Sequence, residues 1–242
     1  MDKIIKYENL RHFAYVNDRV CQRPIRGIVL SFSGLGGMGM IEDENDSGRL
    51  YGENGILFVE PYNNPWSWMN RQAVGYTDEI VDVLFDHFAL PANTPIVSTG
   101  LSMGGLASII YCLRAKRTPI ACVANCPVCD LVFHYDERPD LPRTLYSALW
   151  NEVGSLEEAL KNGSPLHLAD QLPLIPYHVF HCTNDQLVDK ERHSDRLVEA
   201  LRLRGRTVTY TVIPGRGHCD LGEDGWEAFR KSPLDNINNF YK

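Results

Sequence analysis

Along most of this chain, short runs of consecutive apolar residues alternate with segments whose apolar positions recur every three or four residues. The runs Ile25–Phe32, Gly55–Pro61, Ile96–Thr99, Pro119–Asn125 and Pro176–Cys182 are almost unbroken by polar residues, and Thr207–Ile213 is rich in β-branched ones. Such runs read as strands buried in a parallel sheet. Between them, Thr77 is placed to cap a helix carrying Ile80, Val81, Leu84, Phe85 and Phe88 on one face. Further helices are predicted from Met103 to about Ala115, from about Lys190 to Arg204 with Gly205 as its stop, and from Trp226 to Tyr241 with an interruption at Pro233. Ile4, Ile5, Phe13, Tyr15 and Val16 look like a short antiparallel start. Residues 126–172 are different: several prolines, Trp150, one helix near Leu156–Leu160 and no strand pattern. That segment is too short and interrupted for a second domain and reads as an excursion over the top of the sheet, on the active-site side, helping to shape the pocket.

Strands alternating with helices predict an α/β fold, a mainly parallel twisted sheet with helices on both faces. Loops at the carboxyl ends of its strands then gather on one side, whatever their separation in sequence. With 242 residues, 44% of them hydrophobic, a single domain over 1–242 is expected.

The organising stretch is Pro95–Leu106, which holds Gly100-Leu101-Ser102-Met103-Gly104 between a strand and a helix. Gly-x-Ser-x-Gly in that context is a nucleophile elbow. The serine sits on a strained turn whose flanking positions approach other backbone so closely that only glycine fits. The helix behind it offers unpaired N–H groups and a positive dipole end to a developing oxyanion. A second strand end opens into Ser33-Gly34-Leu35-Gly36-Gly37-Met38-Gly39, whose glycines let amides turn inward. The spacing matches neither phosphate-binding glycine motif, so the loop reads as the second half of an oxyanion hole.

Two more strand ends carry Asp185 and His218. A serine hydroxyl needs a base to take its proton, a role suited to His218, and the imidazole needs an acceptor on its other nitrogen, a role suited to Asp185. Asp189 is the competing acid but falls where a helix N-cap is expected, and Glu223 and Asp224 read as caps of the last helix. His178 and His181, three apart on one strand, point to opposite faces and make no metal pair. No metal or other cofactor is expected.

Composition narrows the partners. Net charge is −7 with no long basic run, which argues against nucleic acid. Glu42-Asp43-Glu44-Asn45-Asp46 reads as a solvated loop. The N-terminus lacks the apolar stretch of a secretion signal and no window is long enough to span a bilayer, so a cytoplasmic protein without membrane contacts is expected. Seven scattered cysteines suit a reducing compartment, and Cys126-Pro127-Val128-Cys129 reads as structural because no second pair follows at metal-ligand spacing. Trp66, Trp68, Met38, Phe133 and Trp150 are the expected walls of an apolar or sugar-stacking pocket.

With these residues in place the chain resembles the α/β-hydrolases, most of all the catalytic domains of prolyl oligopeptidase-like serine hydrolases and their esterase relatives. The order Ser102, Asp185, His218 is theirs, and Ser164–Asp170, His181–Val188 and Gly217-His218 resemble family segments, a likeness covering roughly residues 25–240. It implies the α/β-hydrolase fold, a Ser102–His218–Asp185 triad, and an oxyanion hole of the Leu35 and Met103 amides. Two departures stand out: Ser33-Gly34-Leu35 where relatives often have histidine-glycine, and Cys182 in place of a glycine. No β-propeller precedes the hydrolase segment, so a small ester is expected as substrate rather than a peptide. An acyltransferase or a non-catalytic binder of small molecules would be built from the same residues.

Overall fold

The computed structural model describes residues 4–37, 40–41, 43–152 and 154–242. Seven strands form one sheet: β1 (Ala14–Val16), β2 (Gly27–Phe32), β3 (Ile56–Pro61), β4 (Ile96–Leu101), β5 (Ala121–Asn125), β6 (Tyr177–Cys182) and β7 (Val208–Ile213), in the spatial order β1-β3-β2-β4-β5-β6-β7. Only β1 runs antiparallel, against β3; every other neighbouring pair is parallel. The six strands expected after it form with ends shifted by one or two residues, whereas of the N-terminal start only Ala14–Val16 is strand, preceded by a 3-10 helix over Tyr7–His12. This is the α/β-hydrolase fold that the alternation of strands and helices implies.

The helices are α1 (Asp46–Glu53), α2 (Arg71–His87), α3 (Met103–Arg114), α4 (Leu131–His134), α5 (Leu141–Leu149), α6 (Leu156–Gly163), α7 (Arg196–Leu203) and α8 (Gly222–Phe240). Strand alternation divides the core between them. Ile28, Leu30, Leu57 and Val59 pack under α2 and α3, while Val29, Ile56, Phe58 and Val97 face Tyr51 of α1 and Phe229 and Ile237 of α8. Leu197 and Leu201 of α7 meet Ile109 of α3 and Tyr177 of β6 on the α3 side.

Local chemistry moved several helix ends. α2 begins at Arg71 because the Asn70 side chain accepts from the Ala73 N–H; Thr77 lies inside it and donates its hydroxyl to Ala73 O. The acidic stretch is not simply solvated loop: Asn45 caps α1, and Glu44 accepts a hydrogen bond from the buried Tyr15 hydroxyl. α8 starts at Gly222 and passes through Pro233 without a break, with Glu223 and Asp224 in its first turn.

The excursion 126–172 contains α4, α5 and α6, two of which the proline-rich sequence concealed. Within it, α6 is joined to α4 by fully buried Ser164, whose hydroxyl accepts from the Leu131 N–H and donates to Leu160 O, both at 2.7 Å. Ser164→Ala leaves a buried N–H unpaired and is expected to cost about 1–3 kcal/mol. A urea denaturation midpoint unchanged from the parent would contradict this.

Candidate active site

β4 delivers Ser102 to a turn that no ordinary strand or helix allows: its φ is 57° and its ψ −118°. A side chain at positive φ is strained by about 1–3 kcal/mol and persists only where its surroundings hold it. Here the Ser102 N–H donates to Asn125 O at 2.9 Å, and Ser102 O accepts from the Leu106 N–H at 3.1 Å. The two glycines are needed for contact rather than flexibility. A Cβ on Gly100 would stand 2.0 Å from Gly104 O, and one on Gly104 1.9 Å from Phe32 O.

The same packing brings the 33–37 loop beside the serine, since a Cβ on Gly34 would lie 3.7 Å from Ser102 Cβ. In that loop the Gly36 N–H donates to Pro65 O and the Gly37 N–H to Gly34 O. The Leu35 N–H has no acceptor among the described residues, and neither has the Met103 N–H at the start of α3. Two unpaired amides on either side of a serine are what a developing oxyanion requires.

Asp185 follows β6 and His218 follows β7. His218 Nδ1 donates to Asp185 Oδ2 at 2.7 Å, and the Asp185 side chain is fully buried. Its other oxygen accepts from the Leu187 and Val188 N–H groups at 2.9 and 3.0 Å. Buried His181 stands 3.3 Å from Asp185 Oδ2, with its Nδ1 on the Ser194 hydroxyl. Burial alone would raise the Asp185 carboxyl, but hydrogen bonds from His181, His218 and these amides outweigh it and hold it well below the usual carboxylate range. Asp189 instead accepts from the Arg192 N–H, as a capping residue does. For His218, burial disfavours the charged ring, yet the bond to Asp185 and the nearby Cys126 outweigh it, and its pKa is raised to about 9.

Ser102 Oγ makes no hydrogen bond among the described residues, and His218 Nε2 faces Cys219 Sγ at 3.6 Å. The two loops nonetheless lie at the carboxyl ends of parallel strands, on one side of the sheet. Leu101 pairs with Asn125 across β4 and β5, and Asn125 Nδ2 donates to Cys219 O at 3.1 Å. Asn125, His181, Cys126 and Cys219 were not singled out for the site from sequence. Only His181 carried a signal, four residues before the acid in the segment that resembles the family.

Two adjoining cavities, of about 160 and 240 Å³, share Tyr62, Asn63, Asn64 and Ser67. The smaller reaches Gly34, Met103 and the partly buried carboxyl of Glu60, which burial raises despite a hydrogen bond from Ser33. Trp66 lines the larger one. Trp68 does not wall a pocket: it is 1% exposed in the core, edge-on to His134, with Nε1 donating to Thr144 Oγ1. Phe133 packs against His193 and Arg192, and Trp150 at the end of α5 is 61% exposed, so neither lines these cavities. Met38 lies outside the described residues.

His178 and His181 are indeed apart, the first on Asn236 of α8 and the second on Ser194. His134 and Glu137 of the excursion form a polar knot with His193, just before α7, but His193 Nδ1 already accepts the Cys129 and Asp130 N–H groups, leaving Nε2–H to donate to Glu137. No helix among the described residues is long and apolar enough to cross a membrane.

Comparison with known proteins agrees with this architecture. The sequence profile of the prolyl oligopeptidase family matches residues 78–232. No curated protein matches the chain in sequence. Among solved structures it is similar to a puromycin hydrolase, at 17% identity and a TM-score of 0.69 over 90% of this chain and 34% of that one. It is also similar to an S-formylglutathione hydrolase from Agrobacterium tumefaciens, at 15% identity and a TM-score of 0.71 over 93% and 88%. Esterase B from Lactobacillus rhamnosis follows at 13% identity, with a TM-score of 0.68 over 90% and 77%. The chain thus spans only about a third of the puromycin hydrolase but most of the two others.

Proposed function

This chain belongs to the prolyl oligopeptidase family of α/β-hydrolases, and we propose that it is a serine hydrolase cleaving small carboxylic esters through Ser102, His218 and Asp185. The observation that carries the reading is the strained Ser102 turn flanked by two unpaired amides. Ser102 Oγ attacks the ester carbonyl while His218 Nε2 takes its proton, and the Leu35 and Met103 amides hold the oxyanion. His218 returns the proton to the leaving alcohol, and water repeats the sequence on the acyl-enzyme. Asp185 keeps Nδ1 protonated and stabilises the imidazolium. In the free protein Nε2 faces Cys219, so its bond to Ser102 forms as substrate binds, as catalytic hydrogen bonds often tighten only in the complex.

An ester is favoured over a peptide by the small volume of the cavity beside Met103 and by the fit to esterases over most of their length. Covalent labelling of Ser102 by a fluorophosphonate, followed by a panel of p-nitrophenyl esters, acetylated sugars and dipeptide amides, tests both parts. A protein that resists the label is a binder; one that turns over only the amides is a peptidase. We also place the protein in the cytoplasm, because its seven cysteines are free thiols, six of them buried.

The raised His218 pKa has a signed consequence. Below about pH 9 the ring is held mostly protonated and cannot accept the serine proton, so kcat/KM is expected to climb through neutrality, reach half its limit near pH 9 and level off only above it. A pH–rate profile whose acidic limb titrates at or below the ordinary imidazole value of about 6.5 would contradict this.

A further inference from the structure

His218 has a second possible occupant for its Nε2 lone pair. Nδ1 is committed as a donor to Asp185, so Nε2 is the nitrogen that bears the lone pair once the ring is neutral, and it faces a thiol instead of the serine. Cys126, immediately after β5 and fully buried, accepts the Cys219 N–H on its sulfur at 3.4 Å. The ligand atoms of Cys126, His218 and Cys219 all lie within 4.8 Å of one another. Both cysteines hold positive φ, 44° for Cys126 and 60° for Cys219, and these backbone turns bring their sulfurs towards the same ring.

Zinc bonds of about 2.3 Å to sulfur and 2.0–2.1 Å to nitrogen at a tetrahedral centre set those two atoms about 3.6 Å apart. That is the distance between Cys219 Sγ and His218 Nε2. The remaining support is present too. A metal-binding histidine usually donates its other N–H to a carboxylate, which here is Asp185, itself held by His181 and two amides. In the two other clusters of suitable side chains the carboxylate that would orient the histidine, Asp185 or Glu137, is itself one of the three candidate ligands. His193 and His181 have both ring nitrogens engaged within the fold, on backbone amides and Glu137 in one case and on Ser194 and Val188 O in the other.

We propose that Cys126 Sγ, Cys219 Sγ and His218 Nε2 form a site for one borderline-soft divalent cation, zinc foremost, whose binding switches the hydrolase off. Two thiol protons leave to solvent as the thiolates coordinate, the Nε2 proton that the ring carries below about pH 9 leaves with them, and water takes the fourth position. The cation occupies the lone pair that would otherwise accept the Ser102 proton. The site itself stands on the geometry; that its occupancy inhibits rests on the serine hydrolase reading.

Cobalt(II) added to the chelator-treated, reduced protein reports the ligands directly. One equivalent is expected to give a near-ultraviolet thiolate-to-cobalt band that zinc abolishes, with one zinc retained per chain in equilibrium dialysis. Ester turnover is expected to fall in step with zinc bound and to return with chelator. Cys126→Ser and Cys219→Ser are each expected to weaken zinc binding at least about tenfold and, measured against each variant's own metal-free rate, to relieve inhibition to match. Absence of the cobalt–thiolate band in the unmodified chain overturns the site, even if a variant fails to fold. Zinc affinity unchanged in both folded variants overturns it equally. A band with undiminished ester turnover overturns the inhibition, whereas a band in a protein with no turnover at all supports the site and tells against the hydrolase reading.

Discussion

Ser102→Ala is expected to lower kcat/KM for a p-nitrophenyl ester by about 10⁴–10⁶-fold while the protein stays folded. The hydroxyl is the only group at the turn that can form the acyl-enzyme, and its loss leaves just the binding and oxyanion contributions. Alanine meets no new contact there, because Ser102 Oγ makes no hydrogen bond among the described residues. The positive φ remains, so alanine relieves no strain, but glycine would. Ser102→Gly is therefore expected to be as inactive and more stable than the parent by about 1 kcal/mol. Steady-state kinetics, fluorophosphonate labelling and a thermal melt on both variants check the three statements together. A folded Ser102→Ala protein with full turnover would refute the role of this residue.

Gly104→Ala is the substitution expected to damage the structure most. Its Cβ would stand 1.9 Å from Phe32 O and 2.7 Å from Ser33 O, both backbone atoms at the end of a central strand, with no flexible side chain to give way. To admit one methyl, α3 must lift from β2, separating Met103 from the Leu35 loop. Loss of more than about 3 kcal/mol of stability and of measurable turnover is expected. Gly75→Ala is the matched control. That glycine is exposed in α2 and an added Cβ meets nothing within 4 Å, so alanine is expected to stabilise by about 0.5–1 kcal/mol. Equal denaturation midpoints for the two variants would show that the close approach at Gly104 does not matter.

Local rules carried much of the architecture. The elbow was legible because its constraint is local: strand, glycine, serine, glycine and helix are contiguous, and the close approach of Gly100 to Gly104 lies within the motif. The strands were legible because β2 to β6 are buried on both faces and so read as apolar runs. Helix starts were read less well. Asn70 rather than Thr77 caps α2, since which of two polar residues accepts the orphan N–H depends on where the chain leaves the preceding loop. Pro233 does not end α8 because a helix can lose one N–H and continue when packing holds it.

By itself the sequence determined the order of the elements, the turn that carries Ser102, and the strand ends that carry Asp185 and His218, because spacing and steric fit along the chain decide these. Only the tertiary structure decided which aromatic residues line a cavity: Trp66 does and Trp68, two residues on, is packed into the core. It alone decided, too, that His218 Nε2 meets Cys219 beside Cys126. Those cysteines are 93 residues apart, and what joins them is the pairing of β5 and β7 on either side of β6. Contacts across a sheet depend on strand order and register, which leave no periodic trace in the residues that make them.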